Sequence, residues 1–71
     1  MEENKAEICA KLGELLKLTR AGENIEYIGY DEERDCAFVV DRTTLSAIRL
    51  LNTAGDSGAQ LIADVVKEFL N

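Results

Sequence analysis

Apolar residues recur at helical spacing near both ends of the chain, and they alternate with polar residues in the middle. The pattern predicts a first helix from about Glu2 to Arg20 and a second helix that follows Ser57. Between them it predicts strands at 25–30, 36–40 and 46–52, joined by polar turns at 31–35 and 41–44. Such short connections favour antiparallel hairpins. The sequence therefore predicts an α+β fold of order helix, three-stranded antiparallel meander, helix (α-β-β-β-α), with both helices in a single layer on one sheet face.

Several residues carry signals for the helix ends. Ser57, followed three residues later by Gln60, forms a capping box, and Asp56 is an alternative cap one residue earlier. Gly22 follows the first periodic segment, where a left-handed C-terminal cap is expected. Gly13 lies inside the first helix, where glycine costs about 1 kcal/mol relative to alanine. A close approach of the sheet at Gly13 would explain that choice.

Both faces of the predicted sheet carry apolar side chains. Phe38 and Val40 fall on one side of the second strand and Val39 on the other, while alternation in the first strand separates Ile25 from Ile28. Two helices cover only one face of three strands, and a meander leaves two unpaired edges. Burying the second face or an edge against another copy would resolve both problems. The sequence therefore predicts a homo-oligomer, and a monomer with some exposed apolar area is the alternative.

Length and charge set further limits. The 71 residues form a single domain, 1–71, and a hydrophobic content of 46% argues against disorder. The formal net charge of -6 repels phosphate backbones, so direct nucleic-acid binding is not expected. No apolar run reaches membrane-spanning length, and the N-terminus lacks the apolar segment of a signal peptide. We therefore expect a cytoplasmic protein in which Cys9 and Cys36 are free thiols, with a disulfide between them as the alternative.

The run Gly55-Asp56-Ser57-Gly58 is similar to the segment around the nucleophile of trypsin-like proteases. Serine activation needs a general base, usually histidine, and this chain contains none. Helix capping accounts for the motif, so no enzyme is expected. Two distant cysteines cannot close a zinc site, and the loop at 31–35 lacks the ligand spacing of a calcium-binding loop. We therefore expect no metal and no cofactor.

One binding site is compatible with the sequence, where the third strand ends and the second helix begins. The first amides of a helix are unpaired and favour anions, and glycines let a ligand approach the backbone. Two arginines would add positive charge if they converged across a symmetric interface. The candidate ligand-binding residues are Arg42, Arg49, Asn52, Gly55, Asp56, Ser57 and Gly58. An ordinary capped helix with surface arginines is the alternative.

The segment from Arg49 to Val66 resembles a recurring ending of small uncharacterised proteins of phages and prophages of Gram-positive bacteria. That ending runs strand, Asn-x-Ala-x-Asp-Ser-Gly, then Leu/Met-Ile-x-Asp-Ile/Val. The residues that fit it are Asn52, Ala54, Asp56, Ser57, Gly58, Leu61, Ile62, Asp64 and Val65. Gln60 departs from it, because a small residue is commoner there. The resemblance implies a small phage accessory protein, since a similar ending occurs in oligomeric phage proteins that sequester nucleotide-derived immune signals.

Three functions follow from these observations. The first is an oligomeric module that sequesters an anionic, nucleotide-like signal and so counters host defence. The second is an acidic inhibitor of a basic host protein, because opposite charges steer association. Its acidic surface would consist of Glu2, Glu3, Asp31, Glu32, Glu33 and Asp35. The third is a structural or assembly subunit that has no ligand.

Overall fold

The computed structural model describes residues 4–70. Its elements are α1 (Lys5–Leu16), β1 (Ile25–Asp31), β2 (Cys36–Asp41), β3 (Ala47–Leu50) and α2 (Gly58–Leu70). The strands form one antiparallel sheet in the order β1-β2-β3. The predicted α+β fold is therefore confirmed. The predicted start of the first helix, with Glu2 and Glu3, lies outside the described residues.

The first helix ends earlier than predicted. Asn4 caps the start of α1, and the helix stops at Leu16 rather than near Arg20. The chain then turns back, because the Thr19 hydroxyl donates to the Leu16 carbonyl at 2.7 Å. The left-handed cap expected at Gly22 is wrong, since this residue does not have a positive φ. Gly22 instead packs so closely against the Leu16 carbonyl that a Cβ atom has no room.

The core lies between the helices and one face of the sheet. It consists of Cys9, Leu12 and Leu16 from α1, Ile25, Ile28, Ala37, Val39 and Leu51 from the strands and their ends, and Leu61 and Val65 from α2. Cys9 is fully buried, and this burial raises the pKa of its thiol, whereas Cys36 is only partly buried. Both cysteines are free thiols. One buried layer therefore joins both ends of the chain.

Gly13 brings α1 against the sheet. A Cβ atom at this position would lie 2.8 Å from the backbone nitrogen of Ile28, which is closer than side-chain carbons approach a backbone. The close approach inferred from the sequence is confirmed. The conformational cost of a glycine inside a helix is offset here by contact between α1 and β1.

Both edge strands lie in irregular ladders. The register shifts between Ile25 and Tyr27 in β1, and again between Val39 and Val40 opposite β3. The first shift lets Ile25 and Ile28 both enter the core, although strict alternation separates them. Bulges twist an edge and make it a poorer template for another strand. No helix within residues 4–70 is long and apolar enough to cross a membrane.

Candidate functional site

The two arginines of the predicted ligand site contact different parts of the molecule. Arg42 follows β2, and its guanidinium donates to the Glu23 carbonyl at 3.5 Å. Arg49 lies in β3, where its Nη1 is 3.7 Å from Glu68 Oε2 and its guanidinium stacks over the Phe69 ring at 5.5 Å. Within one chain the structure does not bring Arg42 and Arg49 together. Their convergence across an interface stays a prediction.

The junction between β3 and α2 already satisfies two of its backbone amides. The amide of Gly55 donates to Asp35 Oδ2 at 2.8 Å, and the amide of Gln60 donates to Ser57 Oγ at 3.2 Å. Ser57 therefore caps α2, as predicted. The Gln60 side chain donates instead to Asp64 at 2.9 Å, so the reciprocal half of the capping box is replaced by a bond within the helix. An anion at this junction would compete with the protein's own oxygens.

Asp35 is the centre of a polar cluster that the sequence does not predict. Its Oδ1 accepts hydrogen bonds from Lys5 Nζ, at 2.9 Å, and from the Tyr30 hydroxyl, while its Oδ2 accepts the Gly55 amide. These donors, Tyr30 foremost, hold the pKa of Asp35 well below its usual range. The same bond to Asp35 raises the pKa of Tyr30 to about 12. The cluster therefore joins α1, the β1–β2 hairpin and the junction before α2.

The contribution of the Asp35 cluster to stability depends on pH. The folded pKa lies below the unfolded value of about 4, so the carboxylate stabilises the fold above that pH. That stabilisation is lost as the pH falls towards the folded pKa. Lys5 lies thirty positions before Asp35 in the chain. Sequence reasoning misses the pair because no local pattern connects residues so far apart.

Asp56 and Asp64 form a second carboxyl pair at the start of α2. The buried Oδ2 of Asp56 has no hydrogen-bond donor among the described residues. Its carboxyl lies within hydrogen-bonding reach of Asp64, and this contact together with partial burial raises the pKa of Asp56. The same contact and the Gln60 amide lower the pKa of Asp64. When Asp56 is protonated, its carboxyl can donate a hydrogen bond to Asp64.

Replacing Asp56 with Asn should raise the thermal unfolding temperature at neutral pH by a few degrees. A raised folded pKa means that the protonated pair stabilises the protein below about pH 4 and that this contribution fades as the pH rises through the folded pKa. The Asn amide keeps a donor towards Asp64 at every pH. Thermal unfolding followed by circular dichroism from pH 4 to pH 8 measures the effect.

The control is Glu14→Gln, which removes one negative charge from the exposed surface of α1. It distinguishes the effect of lowering the net negative charge from the effect of removing the repulsion between Asp56 and Asp64. The unfolding temperature of the Asp56 variant should exceed that of the Glu14 control most at high pH. At low pH it should approach that of the wild type. An Asp56→Asn protein that is less stable than the wild type at pH 8 would contradict the shared proton.

The other face of the sheet carries no helix. We call Tyr27, Phe38, Ala47, Ile48 and Leu50 the outer face. Phe38 pairs with Leu50 across the ladder, and the Phe38 ring meets Tyr27 edge-on with 6.3 Å between ring centroids. The side chains of Tyr27, Ile48 and Leu50 are 49%, 58% and 51% exposed. A continuous apolar surface therefore remains in contact with water.

Gly29 shapes this surface. A Cβ atom at Gly29 would collide with the Phe38 ring, which lies directly across β1 at this point. The glycine thus lets an aromatic ring cover the backbone of the neighbouring strand. The Phe38 ring therefore occupies the space above Gly29.

A depression of ≈ 500 Å³ lies on the outer face. It is lined by Phe38, Ala47, Ile48 and Leu50 together with Asp31, Arg34 and Arg49. Arg34 Nε lies 3.9 Å from Asp31 Oδ2, and Arg49 pairs with Glu68. The Asp31–Arg34 pair therefore leaves this part of the rim without net charge, although the whole chain carries a net charge of -6. The guanidinium of Arg49 lies on the helix side of the sheet, over Phe69. The sequence indicated this surface through the apolar side chains on both faces of β2.

No protein-family model matches this chain, and neither the curated proteins nor the solved structures show a significant match to it. The resemblance of the C-terminal segment to phage proteins therefore stays a prediction. Among the described residues, no group of three cysteine, aspartate or glutamate side chains is placed to hold a metal ion. The fold and the outer face define a small α+β domain in which one face of the sheet is not covered by a helix.

Proposed function

We propose that this protein is a non-enzymatic binding module and that the outer face of its sheet is its working surface. The observation that carries the proposal is the exposure of Tyr27, Ile48 and Leu50 on a face that no helix covers. The largest contiguous apolar patch on a small soluble monomer is often a site of interaction. The free thiols fit a reducing cytoplasm as the place of action.

The acidic-inhibitor function has less support from the same contacts. Asp35 pairs with Lys5, and Asp31 lies near Arg34. Glu32 and Glu33 remain as exposed acids in the β1–β2 turn. A basic partner would meet few unpaired carboxylates at this turn, so the proposal rests on the apolar face rather than on acidic charge.

A photo-crosslinking side chain introduced at Ile48 tests the proposal in cells. We expect irradiation to yield covalent protein adducts, because Ile48 is exposed and lines the depression on the working surface. The matched control places the same side chain at Ile62, an exposed position of α2 that is 42% accessible. Adducts at Ile48 well above those at Ile62 support the proposal. Equal yields at the two positions, or none at Ile48, would overturn it.

Sequestration of an anionic, nucleotide-like signal is the second candidate. The observation that favours it is the depression beside Phe38, whose rim carries Arg34 and Arg49. Bases stack on aromatic rings, and guanidinium groups bind phosphates. It ranks second because Asp31 already engages Arg34, and the Arg49 guanidinium lies on the helix side of the sheet, between Phe69 and Glu68.

A thermal-shift screen against cyclic and linear nucleotides tests this second candidate. A ligand present at a hundred times its dissociation constant stabilises the folded state by about 2.7 kcal/mol. Arg34→Gln should abolish the shift, and Arg20→Gln, an exposed arginine outside the depression, should preserve it. No shift with any nucleotide would remove this candidate and leave the binding-module proposal intact.

A further inference from the structure

We infer that the outer face binds the outer face of a second copy of this chain, so that two sheets pack face to face around a shared apolar layer. This inference rests on the proposed function, because it assigns the partner of the same surface. Sheets that pack in this way lie about 10 Å apart, with side chains from the two inner faces interdigitating. The sheet would then be covered by helices on one side and by its partner on the other.

The charge distribution favours a second copy over a charged partner. The chain carries a net charge of -6, so contact between most parts of two copies is repulsive. The rim of the depression at the β1–β2 hairpin is an exception, because Arg34 pairs with Asp31 there. The outer face is the place where two copies can meet without bringing excess negative charge together.

The ion pair between Arg34 and Asp31, at the tip of the β1–β2 hairpin, is also compatible with two-fold symmetry. A two-fold axis presents the same patch on both copies, so the patch must complement itself. Arg34 and Asp31 have opposite charge and lie 3.9 Å apart. A two-fold axis that passes close to the hairpin tip would bring Arg34 of each copy near Asp31 of the other. The interface thus has complementary charges at its rim and apolar side chains at its centre.

The outer face of the sheet is better suited to contact with a second copy than the edge strands β1 and β3 are. β3 is only four residues long, its ladder with β2 contains a register shift, and β1 carries a bulge near its start. Short and irregular edges resist pairing with another strand. Leu50, which remains half exposed, pairs with Phe38 on the side of the sheet away from the helices. Ile48 lies beside it at the register shift, where it borders both the outer depression and a second depression next to Phe69. Packing of faces buries these side chains, whereas pairing of edges leaves them in water.

The size of the surface sets the expected strength. Strands about 4.8 Å apart, with a rise of about 3.3 Å per residue, give the three strands a footprint on the order of 300 Å². A standard stable interface buries about 800 Å² on each partner. Even with the rim included, the outer face falls short of that area. We therefore expect a weak, reversible dimer.

Sedimentation equilibrium of the full chain from low micromolar to millimolar concentration tests the inference. The expected average mass rises from 7.8 kDa towards twice that value. Leu50→Glu and Ile48→Lys each place a charge in the shared layer and should weaken association at least tenfold. Leu15→Glu changes a residue that is 63% exposed on α1 and should leave the dissociation constant unchanged. Circular dichroism verifies that each variant is folded.

Hydrogen exchange distinguishes faces from edges. The amide of Leu51 donates to the Ala37 carbonyl at 2.8 Å, so the amide of Leu50 points towards the open edge of β3. Face-to-face packing should leave exchange at Leu50 independent of protein concentration. Strong protection of this amide at high concentration would show an edge-paired dimer and overturn the inference.

The remaining outcomes separate this inference from the proposed function. A mass of 7.8 kDa at every concentration, or a dimer that Leu50→Glu and Ile48→Lys do not weaken, overturns the face-to-face dimer. If Ile48 nevertheless forms adducts with a different protein in cells, the outer face is still the working surface. If Ile48 forms no adduct either, both proposals fail.

Discussion

Replacing Leu61 with Ala should lower the free energy of unfolding by about 2–5 kcal/mol, the largest loss expected from any single truncation discussed for this chain. Leu61 is fully buried in α2, where it belongs to the core formed by both helices and the sheet. Removing its branched end leaves a cavity that neighbouring side chains fill only in part. A domain of this length has a total stability of about 4–10 kcal/mol, so the variant would sit near its unfolding threshold.

The adjacent residue supplies the control. Ile62 is 42% exposed on the same helix, so Ile62→Ala removes little buried surface and should cost less than about 1 kcal/mol. Urea unfolding monitored by circular dichroism compares the two variants under identical conditions. Similar losses for Leu61→Ala and Ile62→Ala would contradict the placement of α2 on the sheet.

Replacing Thr53 with Val should cost about 1–3 kcal/mol, although the two side chains have nearly the same shape. Thr53 is buried, and its Oγ1 accepts the backbone amide of Ala37 at 2.9 Å. Valine leaves that buried N–H group without an acceptor, and an unsatisfied donor costs more than an average hydrogen bond contributes. Urea unfolding gives the free energy, and faster hydrogen exchange at Ala37 identifies the cause.

Thr43→Val is the matched control for Thr53→Val. Thr43 is exposed in the β2–β3 turn, and its hydroxyl makes no hydrogen bond within residues 4–70. The same chemical change there should alter the free energy of unfolding by less than about 0.5 kcal/mol. If the Thr53 variant proves as stable as the wild type, water must replace the lost acceptor at Ala37.

These two core positions bear on the proposed binding surface. Leu61 packs the helix layer against the inner side of the sheet, and Thr53 ties the chain after β3 to β2. Both hold β3 in place, and β3 carries Ile48 and Leu50 on the outer face. Variants of Ile48 and Leu50 alter a surface that faces water, so they should reduce association without the loss of stability expected at Leu61 or Thr53.

The sequence by itself determined the order of the elements and the existence of a second apolar face. Helical periodicity at both ends and alternation in the middle are local patterns, and the structure retains them as α1, the meander and α2. The cap at Ser57 and the close approach at Gly13 could also be predicted from the sequence, because each depends on the residue type at one position. The ligand function assigned to the segment after β3 stays a prediction.

The tertiary structure alone decided which distant groups meet. Lys5 and Asp35 are thirty positions apart, Thr53 and Ala37 are sixteen apart, and neither contact follows from a repeating pattern. The bulge in β1 likewise depends on packing, since it buries Ile25 together with Ile28. Periodicity specifies which side of an element is apolar, whereas a hydrogen bond between distant residues requires the whole chain to be folded around it. Only the folded structure therefore shows that two amides expected to bind an anion instead donate to Asp35 and Ser57.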